Sequence, residues 1–184
     1  LLGMGAATWL GGCTIGPVQG VPPAPTGMAT PSDTFTPDVE LALRATASEV
    51  VLLDGSPTRV WSYQGETLTG DSAALQPLPD SYLGPIIRTR TGQNIRTHFT
   101  NEIPDASIIH WHGLHVPAAM DGHPRTVIGQ GETYVYEFPI RNRAGTYWYH
   151  PHPHGRTGPQ VYQGLAGLFL ISDEEEAALG LPTG

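Results

Sequence analysis

The chain has 184 residues, room for one domain with flanking segments. Charged residues make up only 14 % of it, while 23 glycines and 18 prolines punctuate it, the profile of a turn-rich β protein rather than a disordered one because strand-like apolar runs recur throughout. Net charge is −8 with nine Lys and Arg, so there is no basic patch for a nucleic acid, and the acidity favours solubility and cationic partners only in a general way.

Residues 1–13 are small and apolar and include the single cysteine, Cys13. The stretch Leu1–Gly12 is too short to span a bilayer and matches the apolar core of an export signal. Leu10-Gly11-Gly12-Cys13 is similar to a bacterial lipoprotein processing site, which would make Cys13 a lipid anchor; an ordinary export signal with a chance cysteine is the equal alternative. Residues 14–37 are rich in Pro, Gly, Thr and Ser without apolar periodicity and read as a flexible tether. From Asp38 the pattern changes to alternation. Strands are expected over Val39–Ala45, Glu49–Leu53, Arg59–Gln64, Ile86–Arg90, Asn94–Thr100, Ser107–His112, Thr133–Ile140, Gly145–Tyr149 and Leu165–Ser172, with residues 65–84 as loop and a brief helix over Asp173–Leu179. Many short strands between turn signals predict an all-β fold, a Greek-key β-sandwich, spanning residues 38–173, with 174–184 as a linker.

Seven of the eight histidines lie between positions 110 and 154. They form two clusters, His110-Trp111-His112-Gly113-Leu114-His115 and Trp148-Tyr149-His150-Pro151-His152-Pro153-His154-Gly155. In an extended segment residues i and i+2 share a face, so His110 and His112 point the same way, roughly 6.6 Å apart at Cα. That spacing suits two neighbouring ions better than a tight chelate of one. Pro151 and Pro153 predict an extended second segment lying off the sheet ladder and holding His150 and His152 stiffly. Two such pairs brought together make an all-imidazole pocket. Imidazole without Cys or carboxylate points first to copper and next to zinc, since structural zinc sites favour Cys and catalytic ones gather three ligands round one ion.

With these motifs, and with Met120-Asp121-Gly122, Arg156-Thr157-Gly158-Pro159-Gln160, Gly164-Leu165-Ala166-Gly167-Leu168, Gly84-Pro85-Ile86-Ile87-Arg88 and Asn94–Asn101 beside them, the chain resembles the first cupredoxin domain of a multicopper oxidase, the family of laccases and cuprous oxidases. The resemblance covers about residues 38–173 and is nearest to bacterial periplasmic members. It implies a periplasmic or extracytoplasmic location. It also implies that His110 binds a type 2 copper, that His112, His150 and His152 bind type 3 coppers of a trinuclear cluster, and that His115, His123 and His154 bind none. Asp121 would be a carboxylate that orients a ligand or water and helps deliver protons during reduction of O2; the plain alternative is an Asp-Gly turn.

Electron entry in that family needs a type 1 copper with a Cys thiolate, and Cys13 lies far upstream of both clusters. The resemblance therefore implies half of a site, with the remaining ligands on a later cupredoxin domain or another subunit, and an incomplete, inactive piece of a longer oxidase of phenols or metal ions. The same absence argues against a copper nitrite reductase and a small blue-copper carrier. A non-enzymatic copper-binding or scaffold domain of the cell envelope is the rival from a different class; relatives of that kind tend to lose the histidines retained here. Because ligation needs neutral imidazole, copper should leave below about pH 5–6.

Overall fold

The computed structural model describes residues 31–79 and 81–182. Nine strands form two facing sheets: β1 (Val39–Val50), β2 (Thr58–Thr69), β3 (Leu75–Gln76), β4 (Ile86–Arg90), β5 (Asn94–Asn101), β6 (Ile109–His112), β7 (Thr133–Pro139), β8 (Gly145–Pro151) and β9 (Gly167–Ser172). Two short helices complete the fold, α1 (Thr157–Gln163) and α2 (Glu174–Ala178). One sheet has the order β2-β1-β5-β7 and the other β3-β4-β9-β8-β6. The pairs β1/β5 and β4/β9 are parallel and the rest antiparallel. This is the all-β sandwich that the alternation predicted.

Strand alternation builds the core. Val39, Leu41, Leu43 and Ala45 of β1 all point inward, as do Tyr134, Tyr136 and Phe138 of β7. Between the sheets Trp111 packs edge-on against Tyr136 and Phe169, at 5.1 and 5.9 Å between ring centroids, and beside Phe138 and Tyr149. Gly167 lets Tyr149 lie flat on β9, since a Cβ there would overlap the phenol ring.

The structure redraws three expected elements. The run 39–45 and the start of the run 49–53 form a single strand ending at Val50, because beyond Ala45 the residues Thr46–Val50 continue to pair with β2 alone, while 51–53 lie outside any strand. Residues 65–69 belong to β2 rather than to a loop; Gly65 marks a close approach to Ala42, not a turn. His150 and Pro151 lie on the ladder, paired with His110 and Ile109, where the prolines had suggested a segment off it. Strand pairing alternates between bonded and non-bonded positions. With His152 N–H donating to Ile108 O at 3.0 Å, Pro151 falls at a position that needs no donor toward β6.

Helix α1 was not foreseen; its Pro159 lies in the first helical turn, where a proline costs no hydrogen bond. The leader lies outside the described residues. The last part of the stretch read as tether is fastened to the outer face of the first sheet, where Arg96 donates to Ser32 O and Phe35 O and pairs with Glu40 and Glu137.

Trp111 is the largest fully buried side chain of this core. Trp111→Ala should lower the stability of the domain by about 3–5 kcal/mol, transfer and cavity terms together, measured as the shift in urea-unfolding free energy; a loss below ~1 kcal/mol would contradict the packing described.

Candidate metal centre

The site is assembled by the pairing of β6 with β8, which sets His110 opposite His150 and His112 opposite Trp148. Directly opposite residues project to the same side of a sheet. His110, His112, Trp148 and His150 therefore share the outer face, while Ile109, Trp111 and Tyr149 fill the core. His112 Nδ1 and His150 Nε2 stand 3.2 Å apart. One ligand nitrogen from each of His110, His112 and His150 falls within a group spanning 4.8 Å. His152 is not part of that group; its ring lies 5.1 Å from that of His110 and 6.0 Å from that of His150. The closest approach is thus across the strands, between His112 and His150, and not along the His-x-His pairs that the sequence put forward.

Two rings have their tautomers set by backbone acceptors. His110 Nδ1–H donates to Asp121 O at 2.7 Å, and His150 Nδ1–H donates to Pro151 O at 2.8 Å. Each leaves its Nε2 unprotonated, the condition a ligand histidine must meet, and the Nε2 of His150 lies within hydrogen-bond distance of His112 Nδ1. The Asp121 carboxylate lies 3.3 Å from the same His110 nitrogen and is half exposed. Its carbonyl is therefore the nearer orienting group, with the carboxylate beside it. The loop reaches His110 this closely through Gly122, whose φ is +72° and whose Cβ, if it had one, would overlap Ile109 O.

Trp148 lies over the imidazole of His112 at 4.9 Å and 29° and is 4.2 Å from that of His150. Its position two residues before His150 was the sequence signal for a shared face. Gln160 was missed. Fully buried on α1, it accepts from Ser107 Oγ and donates to Ala106 O, pinning the helix to the start of β6. His115, His123 and His154 are exposed; the His115 amide donates to Asn142 and His123 Nδ1 accepts from Arg125 N–H.

The donor set fits a first-row transition ion. Two imidazole nitrogens bound tetrahedrally at ~2.0 Å lie about 3.3 Å apart, close to the separation of His112 and His150. His150 is kept neutral by its surroundings: burial, aided by the neighbouring His110, His112 and His152, lowers its pKa from 6.5 to about 4, against the opposing pull of Pro151 O. Burial lowers His152 in the same direction. For His150 the acid limit of the neutral form thus moves to about pH 4, below the pH 5–6 expected of free imidazole.

Comparison with known proteins gives a consistent picture. Residues 44–176 match the family model described as multicopper oxidase. A multicopper oxidase of Staphylococcus aureus is 37 % identical over 94 residues, covering 51 % of this chain and 21 % of that protein. The cell division protein FtsP of Sodalis glossinidius is 30 % identical over 154 residues, 77 % of this chain and 33 % of that one. Among solved structures, the McoA multicopper oxidase of Aquifex aeolicus is 40 % identical with a TM-score of 0.66, over 79 % of this chain and 29 % of its own. A multicopper oxidase of Campylobacter jejuni described as a metallo-oxidase is 34 % identical with a TM-score of 0.64, over 77 % and 27 %. The chain spans between about a fifth and a third of the length of these relatives.

The His150 shift has a consequence for stability. Between pH 6.5 and about 4 the unfolded chain holds a proton on this residue that the folded chain does not. Its contribution is complete above the unfolded value and is lost as pH falls toward the folded one. Urea midpoints of the metal-free protein should drop more steeply across this window than those of His150→Gln; parallel slopes would refute the assignment.

Proposed function

The chain belongs to the multicopper oxidase family, and from that premise we propose that it is a copper-binding cupredoxin-like domain supplying half of the ligands of a trinuclear cluster. The oxidase it serves would couple one-electron oxidation of phenols or metal ions to reduction of O2 to water. The observation that carries this reading is the convergence of His112 Nδ1 and His150 Nε2 at 3.2 Å, with a His110 nitrogen inside the same 4.8 Å group. His110 would hold the type 2 ion, and His112, His150 and His152 the type 3 ions. Copper, when bound, supplies one-electron redox chemistry. The protein's part is to hold neutral imidazoles in fixed tautomers on a partly open face. The Asp121 carbonyl accepts from His110, and its half-exposed carboxylate would relay protons to the site.

The remaining donors would come from a further cupredoxin domain or another subunit. An extracytoplasmic location belongs to the same proposal, with Cys13 as lipid anchor or as part of an ordinary export signal. Among the described residues no helix is long and apolar enough to cross a membrane.

The similarity to cell division proteins, over a larger share of this chain than the staphylococcal match covers, favours one second reading: a non-enzymatic domain of the cell envelope. The two readings part at the histidines, since a scaffold keeps its role when His110 and His150 become alanine and a copper oxidase does not.

Copper binding is the direct test. After exposure to Cu²⁺ and dialysis at pH 7, the 184-residue chain should retain copper in metal analysis, and the His112→Ala/His150→Ala variant should lose it. Release on acidification should follow protonation of the imidazole ligands, among which burial keeps His150 neutral to about pH 4. Failure to retain copper, or retention indifferent to the two substitutions, would overturn the proposal.

A further inference from the structure

Strand β6 carries two candidate ligands, yet it is four residues long and lies at the edge of its sheet, with β8 on one side and, among the described residues, no strand on the other. Its outer side is held from the opposite sheet. Because His152 N–H donates to Ile108 O and bonded positions alternate along the ladder, the N–H and C=O of Ile109 point away from β8. The Tyr136 hydroxyl meets both: it accepts from Ile109 N–H at 2.9 Å and donates to Ile109 O at 2.9 Å. One phenol thereby does what a neighbouring strand would do, at the residue before His110.

The neighbours of Tyr136 on β7 hold the loop that orients His110. Tyr134 O–H donates to Ala119 O at 2.6 Å, and Glu137 N–H donates to Met120 Sδ at 3.3 Å. Residues 119 and 120 lead directly into Asp121, whose carbonyl accepts from His110, and into Gly122, which seats the loop against Ile109 O. Both routes to His110, along its own strand and through its backbone acceptor, thus end on β7.

We infer that Tyr136, assisted by Tyr134, is a positioning residue for His110, tying the first histidine pair to the opposite sheet. The inference rests on the copper reading above. Neither tyrosine touches the metal group; each acts through backbone that fixes where the imidazole points. Outer partners of ligand histidines govern metal affinity about 10- to 100-fold.

The test compares Tyr136→Phe and Tyr134→Phe with Tyr149→Phe in the full chain. Each removes a single buried phenol hydroxyl, and that of Tyr149 donates to Pro85 O, away from the outer edge of β6. Cu²⁺ affinity by competition titration and the electron paramagnetic resonance spectrum of bound Cu²⁺ are read together. Tyr136→Phe should weaken binding about 10- to 100-fold and shift the hyperfine splitting, Tyr134→Phe should weaken it less, and Tyr149→Phe should leave both unchanged. Unaltered affinity and spectrum in Tyr136→Phe, or an equal loss in Tyr149→Phe, would overturn the inference. Should Tyr136→Phe not fold, amide exchange in the unsubstituted chain decides. Protection of the Ile109 N–H as strong as that of β8 ladder amides supports the strut, and rapid exchange refutes it. Absence of copper binding by the unsubstituted chain sinks the copper reading itself, whereas binding that ignores Tyr136→Phe sinks only the positioning role.

Discussion

The pairing of His110 with His150 across β6 and β8 is the constraint on which the rest of the site depends. Strand side chains alternate between faces, so this one register fixes two things together. It sends His110, His112, Trp148 and His150 outward and Ile109, Trp111 and Tyr149 inward. Slipping β6 by one residue would exchange the two sets, putting imidazoles in an apolar core and an indole into solvent. The aromatic packing of Trp111 against Tyr136, Phe138, Tyr149 and Phe169 therefore protects the metal geometry without touching it.

A register is only as firm as the strand that carries it, and β6 is short. Backbone groups left unpaired in a buried setting cost about 1–3 kcal/mol each, enough to loosen a four-residue edge strand. The chain answers from three directions. Gln160 on α1 binds Ser107 and Ala106 ahead of β6, Tyr136 closes the outer edge at Ile109, and the loop through Gly122 packs over the same carbonyl. These contacts come from segments distant in sequence, so the order of the site is a property of the whole sandwich.

That distance also explains what could be read from the sequence and what could not. The paired His-x-His segments, the all-β class and most strand positions follow from local alternation and local composition, and were legible. The close contact between His112 and His150 was not, because strand pairing is a non-local fact. Pro151 misled by its chemistry: a missing donor argues against a ladder, yet it matters only at positions where a donor is required. The start of the run 65–84 misled likewise, since Gly65 marks a close approach to the neighbouring strand. Tyr136 looked like one more core aromatic; only the structure brings its hydroxyl to Ile109.

The two outer faces of the sandwich differ in a way that bears on the proposed half-site. On the first sheet Arg96 is surrounded by Glu40, Glu137 and the carbonyls of Ser32 and Phe35, and His98 hydrogen-bonds Glu40, so the charges there satisfy one another. On the second sheet the imidazoles face each other, with no carboxylate nearer than that of Asp121 beside His110, and Trp148 is 37 % exposed next to them. Donors clustered without counter-charge repel when protonated, and burial adds to that by holding His150 neutral. Such an arrangement is poorly satisfied by protons and well satisfied by a cation that accepts several neutral nitrogens together. Three convergent nitrogens do not fill the coordination shell of even one four-coordinate ion. Such a set leaves a position for a water or a further donor, and its open side is where His112 and Trp148 meet solvent.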